Sequence, residues 1–299
     1  MRPSPWALVL TTNGSIPSAI TDSCIQILES SGANINHYWA LGENAYEIEF
    51  CGEDGKTIEA IRESLQGLKI DANILPIANR KKTLLIADMD STIITSECID
   101  ELAALHGSSE QVKAITDEAI DGLLDFNESL IARVNLLKGL SSSSIVDVLT
   151  NRIKLTDGAC TLVQTMNHAG AITILATGGF TCLAGPVAKS AGFGHFRANQ
   201  LEIKNHRLTG QVIHPILGKQ SKEIILNTFM QQHQLTSSNT LAVGDGANDS
   251  AMIKATNLGV AFRAKETLKK DTIFHIDHSD LTALLYLQGY KEDEFRQLI

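Results

Sequence analysis

The rhythm of apolar and polar positions changes near residue 80. Before it, strand-like runs alternate with helical spacing. Residues 5–12, PWALVLTT, read as a strand. Ile20, Cys24, Ile27 and Leu28 fall on one helical face, and Ser30-Ser31-Gly32 ends it. INHYWALG (35–42) and AYEIEFCG (45–52) read as two strands around a Gly42-Glu43-Asn44 turn. KTIEAIRESLQGL (56–68) has the spacing of an amphipathic helix, and DANILPI (71–77) of a last strand. After the basic link ANRKK (78–82), continuous apolar runs take over: TLLIAD (83–88), AITILAT (171–177) and TLAVGD (240–245). Such runs suit strands covered on both faces of a parallel sheet, separated by helices. Each ends in a polar turn rich in Gly or Asp, and ligands gather at the carboxyl ends of parallel strands. Residues 93–155 carry almost no strand pattern and read as an inserted cap of helices, from ECIDELAAL (97–105), SEQVKAITDEAIDGLL (109–124), FNESLIARVNLLKGL (126–140) and SSSIVDVLT (142–150). NQLEIKNHRLTGQVI (199–213) reads as a hairpin around Asn205-His206, and YKEDEFRQLI (290–299) as surface cover.

The order of the first 78 residues resembles the ferredoxin-like modules of the ACT type, which often bind amino acids. A regulatory module, with an amino acid as its effector, and a packing or dimerisation module in a homodimer stay open for residues 1–78. The expected architecture is therefore α/β, with a parallel-sheet core at 79–299 carrying the cap, and an N-terminal α+β domain.

Composition narrows the function. The chain is 43% hydrophobic, with 34 acidic against 25 basic residues and a net charge of −9. That supports a real core and argues against a nucleic-acid or anionic-membrane partner. No apolar run approaches the roughly 20 residues of a membrane span. MRPSPWALVLTT lacks the apolar stretch and cleavage site of a signal peptide. Cys24, Cys51, Cys98, Cys160 and Cys182 are scattered without a C-x-x-C. This spacing fits a reduced cytoplasmic protein better than a disulfide or zinc framework.

The strand-end turns carry the candidate chemistry. Asp88-Met89-Asp90-Ser91-Thr92 reads either as a turn or as a carboxylate nucleophile with a general acid. Gly244-Asp245-Gly246-Ala247-Asn248-Asp249 reads either as a helix-capping turn or as part of a metal site. If the two turns meet, their carboxylates repel unless a cation or protons neutralise them, and such a meeting predicts a metal. Thr177-Gly178-Gly179 offers N–H groups and a hydroxyl to an anion, and Lys222 opens a helical stretch.

Together, DMDST, ECIDELA, FNESLIARVNLLKGL, TGGFT and GDGANDSAMI resemble the haloacid dehalogenase-like phosphohydrolases, and among them the phosphoserine phosphatases. The resemblance covers about residues 80–285. It implies a cytoplasmic, Mg²⁺-dependent hydrolysis of O-phospho-L-serine through an aspartyl-phosphate, the last step of serine biosynthesis. Asp88 would be the nucleophile and Asp90 the acid and base. Asp88, Asp90 (through its carbonyl) and Asp245 would hold the metal, with Asp249 in support. Thr177, where the family usually has Ser, would grip the phosphoryl group with Gly178 and Lys222. Glu97 and Arg133 would take the ammonium and carboxylate of the substrate, with Phe126 and Asn248 beside it. Two other readings stay open: a phosphatase or phosphotransferase for another small phosphate ester, and a non-catalytic amino-acid sensor.

Overall fold

The computed structural model describes residues 5–52, 57–120 and 123–297. Lys56 of the expected second helix, Asp121 and Gly122 of the expected cap, and the last two residues lie outside them.

The strands are β1 (Trp6–Thr12), β2 (Asn34–Gly42), β3 (Ala45–Cys51), β4 (Ile70–Pro76), β5 (Leu84–Ala87), β6 (Ile172–Phe180), β7 (His195–Lys204), β8 (Arg207–Ile213), β9 (Thr240–Gly244), β10 (Leu258–Phe262) and β11 (Phe274–Ile276). They form a four-stranded sheet of order β2-β3-β1-β4 and a seven-stranded one of order β11-β10-β9-β5-β6-β7-β8. Contact density divides the chain into two compact units. One comprises residues 1–85, 157–172 and 235–299, the other residues 86–156 and 173–234.

In the first unit, β1 pairs antiparallel with β3 and β4, as a ferredoxin-like βαββαβ order requires. Period-2 alternation sorts its residues. Leu8, Leu10, Ile48, Phe50, Ala72 and Ile74 pack with Cys24, Leu28 and Ile61 of the helices Ser18–Ser30 and Thr57–Ser64. The opposite phase carries Val9, Thr11, Glu47, Asp71 and Asn73, which are neighbours in register. That phase is polar because it meets backbone. Asn73 exchanges hydrogen bonds with His275 N–H (3.0 Å) and C=O (2.9 Å) on β11. Asp71 accepts from the N–H groups of Asp277, His278 and Ser279 and from the Ser279 hydroxyl, all within 3.2 Å. Arg80, in the link, makes two 2.8 Å bonds to Glu47, which has no exposure. Residues 1–78 are thus bonded to the rest of their unit through buried polar groups.

The same unit holds β9, β10 and β11, which pair in parallel. Behind the Asp71 clamp, Ser279 C=O accepts from Arg263, just past β10, and Lys265 N–H donates to Asp245 C=O, just past β9.

The second unit contains the helices Cys98–His106, Ser109–Ile120, Phe126–Asn135 and Ser143–Asn151 within the expected cap. β6 pairs parallel with β7, and β7 antiparallel with β8. The β7–β8 hairpin turns on Asn205 and His206, with φ of 51° and 59°. Positive φ at both central residues is the demand of the turn that follows strand twist. Among the described residues no helix is long and apolar enough to cross a membrane. No disulfide joins any of the five cysteines.

Candidate active site

β5 is buried along its whole length, so the chain must leave it through a polar turn. Asp88 comes first, 4% exposed, its Oδ1 accepting Met89 N–H at 2.7 Å. Residues 89–93 then wind one wide turn closed by Ile94 N–H on Met89 C=O. Ser91, with φ of 54°, takes the left-handed conformation that the bend requires. The turn brings Asp90 back beside the strand end. Its Oδ1 accepts Cys98 N–H at 2.8 Å, and its Oδ2 accepts the Thr177 hydroxyl at 3.1 Å. Burial first, and then the negative charge of Glu97, push the Asp90 carboxyl up to about 6, against the pull of its bonds from Cys98 and Thr177. Such a group can carry a proton near neutral pH, as a general acid must.

Thr177 ends the buried run of β6. Its Oγ1 accepts Gly179 N–H at 2.8 Å, which aims the hydroxyl proton at Asp90. The Phe126 ring covers this loop: a Cβ on Gly178 would lie 2.8 Å from Phe126 Cζ. Lys222 stands in the first turn of the helix Ser221–Gln232, 5% exposed, its Nζ 2.6 Å from Asp88 Oδ1. A buried ammonium at that distance favours the ionised form of Asp88. Glu97 precedes the helix Cys98–His106 and accepts the Ser91 hydroxyl at 2.7 Å. Arg133 is half-buried with its Nε on Ser129 C=O at 3.3 Å. Burial lowers its guanidinium pKa, while Asp100, Glu97 and Asp90 raise it. The second unit by itself therefore brings together Asp88, Asp90, Glu97, Phe126, Arg133, Thr177, Gly178 and Lys222.

In the first unit, Asp249 is fully buried and its Oδ2 accepts the N–H groups of Asp245 and Gly246, 3.1 Å each. The carboxylate thereby shapes the turn that presents Asp245. Asn248 lies half-buried in that turn. Asp245 and Asp249 thus place two carboxylates in one turn. An all-oxygen anionic set of this kind fits a hard divalent cation.

Asn199 carries no signal in the sequence beyond being an Asn, a residue depleted in strands, inside β7. It is 1% exposed and bonds Gly178 C=O at 2.9 Å.

The haloacid dehalogenase-like hydrolase family model matches residues 85–254. A phosphoserine phosphatase of Archaeoglobus fulgidus is 36% identical over 79% of this chain and 71% of its own. A probable phosphoserine phosphatase of Schizosaccharomyces pombe is 34% identical over 98% of this chain and 97% of its own. The unliganded crystal structure of a probable phosphoserine phosphatase from Vibrio cholerae superposes with a TM-score of 0.78 at 28% identity, over 97% of this chain and 88% of that one. By the extent of these matches, the chain belongs to the haloacid dehalogenase-like hydrolase family, alongside proteins named phosphoserine phosphatases.

Proposed function

We propose that the chain is a Mg²⁺-dependent phosphoserine phosphatase, releasing L-serine and phosphate from O-phospho-L-serine at the end of serine biosynthesis. The observation that carries the reading is the pairing of Asp88 with the buried Lys222, next to an Asp90 held by the Thr177 hydroxyl. The names of the relatives supply the substrate.

An Asp88 oxygen attacks phosphorus, the bond from phosphorus to the serine oxygen breaks, and Asp90 gives that oxygen its proton. Water then attacks the aspartyl-phosphate, Asp90 takes the proton back, and phosphate leaves with Asp88 restored. The Thr177 hydroxyl, Gly178 N–H and Lys222 donate to the phosphoryl oxygens, where they stabilise the shifting charge. Arg133 suits the substrate carboxylate because its planar fork binds two oxygens at once, and Glu97 suits the ammonium. Phe126 packs on the serine methylene, with Asn248 at the edge of the site. Asp88, Asp245 and the Asp90 carbonyl would hold the cation, with Asp249 beside them. A bound Mg²⁺ would supply the charge neutralisation that lets a carboxylate approach a phosphate dianion.

Phosphate release from O-phospho-L-serine, measured after chelation and again with Mg²⁺ restored, tests the reading. Turnover should need the metal and vanish in a folded Asp88→Asn variant. Metal-independent turnover, or activity near wild type in Asp88→Asn, would overturn it. Residues 1–78 fit a regulatory or dimerisation role in a cytoplasmic enzyme, and inhibition by added L-serine would mark the regulatory one.

A further inference from the structure

We infer that Asn199 is a positioning residue for phosphate transfer, a single buried amide that fixes both phosphate-gripping loops of the second unit. The inference rests on the role proposed above for Thr177, Gly178 and Lys222.

Asn199 sits at the end of the β6–β7 pairing, opposite Phe180. Its Nδ2 donates to Gly178 C=O at 2.9 Å and lies 3.4 Å from Leu217 C=O, while its Oδ1 accepts Leu217 N–H at 2.7 Å. Each arm leads to a reacting group. Gly178 C=O and Gly179 N–H belong to one planar peptide. Asn199 holds the oxygen of that plane, so the N–H on its far side meets Thr177 Oγ1 at 2.8 Å. Thr177 in turn donates to Asp90 Oδ2. One amide therefore sets the plane that aims the hydroxyl at the general acid. Because it also fixes Gly178, it orients the neighbouring N–H proposed for the phosphoryl group. On the other arm, Leu217 starts the loop into the helix of Lys222, with Ser221 N–H on Gly218 C=O at 3.0 Å. Holding Leu217 sets the start of the helix whose second residue reaches Asp88.

Glycine loops are permissive, and their several conformers would have to be narrowed at each turnover. A buried side chain with both its donor and its acceptor engaged removes that freedom beforehand. Asn199 touches neither substrate nor metal in this scheme. Its effect should therefore appear where charge shifts, in kcat and in mimics of the transferring phosphoryl group, more than in ground-state binding.

Asn199→Asp separates the two arms. The acceptor for Leu217 N–H stays and the donor to Gly178 is lost. With the full chain in Mg²⁺, assayed where each protein is fully folded, we expect kcat for O-phospho-L-serine to fall tenfold or more. Inhibition by orthovanadate should weaken by a similar factor, with KM moving less than threefold. Asn199→Ser restores one small donor and should recover part of both losses. A variant that melts earlier yet keeps wild-type kcat and orthovanadate inhibition would show a purely structural role and overturn the inference. Should Asn199→Asp not fold, Asn199→Ser is read by the same criteria. If the wild type does not hydrolyse O-phospho-L-serine, the substrate reading fails, while orthovanadate binding in the two variants still decides the role of Asn199.

Discussion

Replacing Gly244 by alanine probes the acidic turn at its tightest point. The added methyl would lie 2.7 Å from Asp249 Cβ and overlap the carboxyl group itself. Carbon atoms rest about 3.5 Å apart, so Asp249 must withdraw, its Cβ by roughly 0.8 Å and its carboxyl carbon, nearer still, by more. It cannot do so by swinging a long flexible end, because the side chain is short and fully buried. Withdrawal breaks its bonds from the N–H groups of Asp245 and Gly246. Bonds to a charged acceptor contribute about 1.5–3 kcal/mol each, and water entering the loosened turn restores part, which leaves a loss of about 3 kcal/mol. A cation that needs this turn ordered must restore the order on binding. The same free energy is then subtracted from its affinity, a weakening of about 100-fold. Urea unfolding in chelator reads the first quantity, and the Mg²⁺ dependence of phosphate release reads the second. Unfolding like wild type, together with a Mg²⁺ activation constant within about threefold of it, would refute the reasoning.

Arg80→Ala leaves the unexposed Glu47 carboxylate without its two-point partner and should cost about 3–5 kcal/mol in urea unfolding, much of it recovered by adding Glu47→Leu; a loss below about 1 kcal/mol would contradict the burial argument. Arg133→Ala should raise KM for O-phospho-L-serine about tenfold more than for phosphoethanolamine, which lacks the carboxylate; equal effects on both would remove Arg133 from carboxylate binding. Lys82 donates to Asn79 C=O, Ser238 C=O and Asn257 Oδ1, and burial lowers its pKa from 10.5 to about 8. Between those values the unfolded chain holds a proton that the native state has released, so stability rises as pH climbs from about 8 to 10.5 and the gain is lost on the way back down. Measured against Lys82→Met, which has no proton to lose there, the wild type should gain about 3 kcal/mol across that window, and a flat difference would sink the claim.

The seven-stranded sheet was largely legible because doubly covered strands are written as unbroken apolar runs: TLLIAD, AITILAT and TLAVGD became β5, β6 and β9. Local turn chemistry was legible too, since Asn205-His206 does turn the hairpin. β10, LGVAF, has the same unbroken apolar character over only five residues and was not among the expected strands, and β11 spans only three residues. Asn199 and Asp71 escaped for a different reason. Each acts through a partner far along the chain, Asn199 on Gly178 and Leu217, Asp71 on residues 277–279. Periodicity records which face a residue occupies and is silent about what lies opposite. The Asp and Gly turns could be read as chemistry only jointly, because each alone is an ordinary way to leave a strand.

The carboxylate of Asp71 gives the first 78 residues a mechanical weight that their small size conceals. They brace the loop at 277–279, that loop anchors Arg263, and two residues on Lys265 steadies Asp245. A fragment cut free at residue 79 would keep every side chain proposed for the reaction and lose the abutment behind its acidic turn. Anyone grafting the reaction onto a shorter scaffold would have to supply a substitute acceptor for the backbone N–H groups of residues 277–279.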